Sequence, residues 1–386
     1  MKKVLCCFAA AVLAAFLLFT PACGAQVSSG SDGLEQYYAE QFAKSGAGDL
    51  PDKLPEDTRK SLEGLGISGA DWKSITDISP QNYFQKILSI FSGQLKNPLR
   101  VAACVVSVIL LCSLLNGLKL SFGEKSLGGV VGMVGALCIC TLVIAPIVSC
   151  IQDAADVLKA GAGFLLACIP VLTGIMIAAG QPVSAGSYNL LMLAAGNAVS
   201  IFAAGFLVPL MNIFLALSVV SSISPNISLN GLCAALNKTV KWVMGLGMTL
   251  FTGLITMHSF VSASLDSTSS KAAKFIVSSF VPVVGNALGE ALHTVNGCVK
   301  TLKSGVGAFG LLAGIFLFLP VVVECILWVL TLSICSGIAQ IFDLKETTSL
   351  LKASSDVVST MLAILLCSMT VLIISTVLML IIGGVT

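Results

Sequence analysis

From Leu99 onward, long apolar runs succeed one another with only short polar intervals between them. The runs are Leu99–Leu118, Gly128–Ile151, Ala160–Gly180, Tyr188–Ile223, Val240–Phe260, Val306–Phe342 and Val357–Ile382. A spanning helix needs about 20 predominantly apolar residues. Three runs carry internal breakers: Pro170 and Gly174, then Pro209, then Pro320. The pattern predicts an all-α polytopic membrane protein with about six to eight spans.

Lys274–Ser304 fits that pattern least well. It is apolar enough for a bilayer, yet Pro282, Gly285 and Gly289 interrupt it, and Glu290 and His293 lie past the break. Each side of Pro282 offers roughly half a span. Two readings fit. One is a Pro-broken, re-entrant hairpin, whose irregular backbone needs cover from protein or a water-filled cavity. The other is a tilted amphipathic helix on the membrane surface.

A second such element stands upstream. Ile169-Pro-Val-Leu-Thr-Gly174 resembles Val281-Pro-Val-Val-Gly285, and Phe206-Leu-Val-Pro209 resembles Phe318-Leu-Pro320. The two proline offsets are 112 and 111 positions. Matching offsets at two prolines point to a tandem repeat, with units over 127–238 and 239–350. The segment 99–126 precedes them as a first span and loop, and 351–386 comes after them as a final span. The expected hairpin-break residues are Pro170, Gly174, Pro282 and Gly285.

The N-terminal part differs. Met1-Lys2-Lys3, an apolar stretch to Phe19 and small residues up to Ala25 make a secretory signal peptide over 1–25. That leader places residues 26–98 outside the cytoplasm. They hold 17 of the chain's 40 charged residues. Pro80–Leu95 has helical spacing of Tyr83, Phe84, Ile87, Leu88 and Phe91. About 70 residues with few large apolar groups make a weak independent core, so this region reads as a partly ordered extracytoplasmic arm, either a linker or a docking element. With the arm outside, Lys238, Lys241 and the 343–356 loop fall inside, as positive-inside bias prefers. Lys271, Lys274, Lys300 and Lys303 then fall outside, against it.

Composition sharpens the membrane assignment. The chain is 56% hydrophobic and only 10% charged, against about 25% charged in soluble domains. A net charge of +2 without basic patches excludes nucleic acid as a partner. Most of the 14 cysteines sit in or beside apolar runs, where cysteine acts as a small hydrophobe. Cys138 and Cys140 form CxC, but no metal-ligand spacing occurs. No phosphate-binding loop, nucleophile elbow or zinc-protease motif is present. The expectation is a non-enzymatic protein with no catalytic residue, metal or cofactor.

A few polar residues inside the apolar runs are candidates for function. Glu324 lies within a span next to Pro320, and intramembrane carboxylates usually face a cavity or a partner. Glu290 and His293 share one helix face and could meet a pore or a partner subunit. Asn197, Asn212 and Gln340 are candidate interhelical hydrogen bonders, and Gly128–Gly135 and Gly310–Gly314 supply close helix contacts.

Phe275–Gly310 carries the most specific signal, above all Phe280-Val-Pro-Val-Val-Gly285, Ala287-Leu-Gly-Glu290 and Leu302-Lys-Ser-Gly-Val-Gly307. The chain resembles the stage III sporulation protein AE family over essentially its whole length. Gly285-Asn286 departs from the Gly-Gly often found in relatives, and His293 stands where relatives often have an acid. The resemblance implies a multi-pass subunit in the mother-cell membrane facing the forespore. It implies a secretion-like channel or feeding complex whose other subunits include a secretion-type ATPase and ring proteins. The alternative from the residues themselves is a permease-like transporter with a substrate or ion path between the two repeats.

Overall fold

The computed structural model describes residues 32–67, 69–71, 80–122, 128–223, 230–280 and 285–381. These are almost entirely helical, with no strand among the described residues. Two short helices, α1 (Asp32–Ser45) and α2 (Glu56–Glu63), precede the apolar body. The body comprises α3 (Pro80–Phe122), α4 (Gly128–Ala178), α5 (Pro182–Ile201), α6 (Val208–Ile223), α7 (Asn230–Phe280), α8 (Gly285–Ile341) and α9 (Lys345–Ile381). Stretches within α3, α4, α7, α8 and α9 are long and apolar enough to cross a membrane, and a shorter apolar helical stretch covers Gly205–Ser221. The chain is an all-α polytopic membrane protein, as its apolar runs predict.

The helices exceed simple spans. α4 has 51 residues and α8 has 57. At 1.5 Å per residue they are roughly 76 and 85 Å long, against a hydrocarbon core of about 30 Å. Gly128–Ile151 and Ala160–Gly180, read as separate runs, share one helix up to Ala178. The polar interval between them, Gln152 to Lys159, is helix interior. Its charged side chains recur at 153, 156 and 159, so they line one exposed face.

Pro170 and Gly174 do not break the chain. Like Pro146, Pro170 sits inside α4. A proline removes one backbone hydrogen bond, and packing inside a bundle holds a helix together around such a loss. The reversal comes later, at Gly180, whose φ of 75° is left-handed. Gly180 N–H reaches Ile177 O at 2.9 Å and Gln181 N–H reaches Met176 O at 3.0 Å, the paired bonds that close a helix C-terminus. Pro182 then opens α5, where its missing N–H costs nothing. Pro282 lies outside the described residues, between the end of α7 at Phe280 and the start of α8 at Gly285. The unit boundaries expected at 238/239 and 350/351 fall inside α7 and α9.

Between α5 and α6 one π-helical turn covers Phe202–Leu207. Pro209 stands just beyond it. A widened turn relieves the clash between a proline ring and the carbonyl four residues back.

α8 is the central helix: 61% of its most apolar stretch is buried, against 11% for α7. It runs antiparallel to α9, with Gly314 against Leu372, Gly310 against Thr376 and Ser333 bonded to Ser355. It also runs antiparallel to α4, with Gly161 against Phe318 and Cys150 against Cys325. Small residues let these backbones approach, the packing rule for helices in lipid. Trp328, Phe309, Phe316 and Phe318 fill the resulting core.

The polar arm is more ordered than its composition suggests. Leu50, Leu54, Leu62, Leu65 and Ile67 join the same buried cluster as the long helices. α1 and α2 pack on α8, Val171 of α4 approaches Gly46, and Tyr83 meets Phe316 edge-on at 5.6 Å. The arm is a cap that borrows its core from the bundle, which is how a segment too small to fold alone becomes ordered. Near the other end of α4, Gly132 faces Glu346, beside the turn between α8 and α9.

Candidate functional site

Cys150 and Cys325 fix the contact between α4 and α8, with their sulfurs 3.4 Å apart and both residues buried. The next residue back on α8 is Glu324, half-buried at the bundle surface. Its Oε1 accepts a hydrogen bond from Trp328 Nε1 at 3.4 Å, one turn on along the same helix. Trp328 is itself 1% exposed, so it anchors the carboxylate from the core side. One turn beyond Cys150 on α4 stands Asp153, and the two carboxylates act on each other electrostatically.

Glu324 and Asp153 therefore form an acidic pair across the α4–α8 seam. Gln152, Asp156 and Lys159 extend the polar face along α4, all exposed. Lys159 Nζ lies 3.3 Å from Asp156 Oδ1, so that part of the face is internally neutralised. Apolar helix lies on both sides of it. In the sequence, Asp153 was legible only as part of a polar interval between two apolar runs.

The remaining candidates disperse. Glu290 and His293 lie in the first turns of α8, where the backbone is helical and side chains are outside the described set. Asn197 is exposed, while Asn212 Oδ1 is buried and unpartnered. Thr173 Oγ1, Tyr188 OH and Asn189 Oδ1 share that state. These four polar atoms come from the end of α4 and from α5 and α6. Gln340 lines a polar pocket near the α8–α9 turn.

Sequence reading missed Asp266. It sits in the polar run Leu265-Asp-Ser-Thr-Ser-Ser270, which looks like a loop and is helical. Asp266 is 4% exposed and binds the first amides of α5, from Val183 N–H at 3.1 Å and Ser184 N–H at 2.8 Å. Ser262, one turn earlier, pairs with Ser187 at 2.8 Å. The four-residue spacing of Ser262 and Asp266 within an apolar helix was the available signal.

Comparison with known proteins fits this architecture. The family model described as stage III sporulation protein AE matches residues 71–383, from the end of the cap to the last helix. Stage III sporulation protein AE of Bacillus subtilis (strain 168) is 24% identical over 257 residues, covering 67% of this chain and 63% of the relative. The chain thus spans somewhat less than two thirds of that relative's length. No solved structure matches. The family match runs through every helix of the apolar body, and the chain belongs to the stage III sporulation protein AE family.

Proposed function

We propose that the protein is a non-enzymatic membrane subunit of a channel or secretion-like complex needed for forespore development. The observation that carries this reading is the exposed polar face of α4, Gln152 to Lys159, together with Glu324. Within the hydrocarbon core such charges face protein or a water-filled cavity rather than lipid, and beyond it, as the length of α4 allows, they offer a polar docking face. In the isolated chain this face is uncovered. Another subunit, or an aqueous path shared between subunits, covers it in the assembled complex. The family relationship supports the sporulation context, and the mother-cell membrane, a cleaved leader, a secretion-type ATPase and ring proteins belong to the same proposal.

The test is the pair Asp153→Leu with Asp156→Leu, made in the sporulating host. The variant should accumulate in the membrane at normal levels, fail to co-purify other complex subunits and block spore formation. Normal sporulation in this variant would sink the assembly reading.

A second reading has its own support in the unpartnered buried atoms of Thr173, Tyr188, Asn189 and Asn212. Buried polar groups lacking protein partners are where water or a solute binds, as in a transporter built from repeats. Tyr188→Phe with Asn212→Leu should then abolish uptake while leaving subunit co-purification intact. Under the assembly reading this variant sporulates normally.

A further inference from the structure

At the end of the bundle away from the cap, α6, α7, α8 and α9 border an open pocket of about 880 Å³. Four lysines line it: Lys238 and Lys241 from α7, Lys345 and Lys352 from α9. Two aspartates, Asp343 and Asp356, oppose them. Asp356 is within electrostatic reach of Lys241 and Lys352. The pocket thus keeps an excess of two positive charges. The first turn of α9 also borders it, adding the positive end of a helix dipole.

Further along α7 lies a separate, open apolar face. A second cavity of about 620 Å³ is lined by Met248, Thr249, Thr252, Gly253, Thr256 and Met257. Lys241, Met248 and Thr252 recur at spacings of seven and four, so pocket and groove share one face of α7. Cβ atoms added at Gly245 and Gly253 would meet nothing within 4 Å, so the face is open. α9 runs beside α7 and parallel to it, with Thr360 bonded to Asn237 at 2.8 Å and Thr370 to Met248 Sδ at 3.7 Å. The threonine hydroxyls of the groove turn to their own helix: Thr249 bonds Gly245 O and Thr256 bonds Thr252 O. The groove surface is left chiefly apolar.

We propose that this seam binds one anionic phospholipid, its phosphate among Lys238, Lys241, Lys345 and Lys352 and an acyl chain along the α7 groove. From Lys241 the groove begins about 10 Å along the helix and ends about 24 Å along it, so an acyl chain crossing a leaflet about 15 Å deep lies along its first part. Basic pockets between spanning helices recognise anionic headgroups in this way. Next to Lys241, Trp242 is 66% exposed, and exposed Leu246, Leu250 and Leu254 succeed it at four-residue steps. That row is the lipid-facing flank from which a phospholipid would enter. A free phosphate would use the lysines and leave the groove empty.

The experiment uses the full chain in a neutral detergent, with thermal unfolding as the readout. The probes are dioleoyl phosphatidylglycerol, dioleoyl phosphatidylcholine, inorganic phosphate and glycerol 3-phosphate. Phosphatidylglycerol should raise the midpoint by about 3–5 °C, and the other three should not. Equal shifts from both lipids overturn headgroup recognition, and an equal shift from either soluble phosphate overturns the lipid as its source. Changing the four lysines together to Gln, or Gly253→Leu alone, should remove the phosphatidylglycerol shift; retention in both variants overturns the site. Should those variants fail to fold, the wild-type chain still decides. Phosphatidylglycerol with brominated acyl chains should quench the emission lost in Trp242→Phe, several-fold more than brominated phosphatidylcholine does. Equal quenching by the two rejects the proposal.

Discussion

The Asp266 carboxylate of α7 binds the backbone N–H of Ser184 at 2.8 Å and that of Val183 at 3.1 Å, capping α5 from a helix 82 residues away in sequence. α5 opens with Pro182, and its cap comes from this other helix. A buried carboxylate on two amides is a charge-assisted arrangement. Asp266→Ala leaves those amides unsatisfied and should cost about 2–3 kcal/mol. Asp266→Asn keeps one acceptor oxygen and should lose less than half as much. Thermal unfolding of the purified chain in detergent ranks the two. Equal losses would mean that the amide oxygen of Asn does not replace the carboxylate as a cap.

Gly161 sets how closely α4 approaches α8. A Cβ there would stand 2.9 Å from the Phe318 ring, and that ring is 2% exposed with little room to retreat. Gly161→Ala should therefore destabilise by about 1–3 kcal/mol through overpacking. Phe318→Leu makes room on the other side of the contact, so the double variant should be less unstable than the two single losses added together. Simple additivity would place Gly161 away from Phe318.

The features hidden in the sequence share one physical cause, the way neighbours in a bundle support a helix. Hydropathy identifies which segments are apolar, so the spans and the close-packing glycines at 310 and 314 were legible. Hydropathy does not say where an apolar helix ends. Pro170 looks like a break because proline disrupts isolated helices, yet inside α4 neighbouring helices compensate. Gly180 and Pro182, a left-handed C-terminus and then a proline start, were the better signal. Asp153 and Asp266 were hidden for the same reason. Polar runs read as loops until their 3–4 spacing places them on one helix face. The acidic pair of Glu324 and Asp153 depends on the register of α4 against α8, which a single sequence does not encode locally.

That register has a direct chemical test. With all other cysteines removed, Cys150 and Cys325 alone should form a disulfide when membranes are treated with copper phenanthroline, because their sulfurs already lie 3.4 Å apart. The product is seen by cutting the chain between α4 and α8 and asking whether the fragments stay joined without reductant. Moving one partner to Ile151→Cys or Ile326→Cys turns the thiol about 100° around its helix and should abolish joining. Equal joining from the shifted positions would contradict the antiparallel α4–α8 contact.

The cap offers the last test, since its order depends on the bundle. Leu62 is 1% exposed, and Leu62→Asp replaces a buried apolar contact with an unpaired charge. The loss, about 2–5 kcal/mol from packing alone, should release the cap without dissolving the long helices. Trypsin reports this at Arg59 and Lys60, where cleavage tracks the open population. The variant should be cut more than about tenfold faster there while helical content holds. Lys44 supplies the control. Its Nζ lies 2.6 Å from Glu40 Oε1, and that hydrogen bond raises the lysine above its ordinary value. A raised lysine contributes stability below its unfolded pKa of about 10.4 and loses it only as pH climbs through the folded value. The pair is exposed and screened, so cap cleavage relative to that of an unstructured peptide at the same pH should be flat from about pH 6 to 9, and Lys44→Ala should leave it unchanged. Rapid cleavage at Arg59 in the unaltered chain would restore the loosely ordered arm that composition alone suggested.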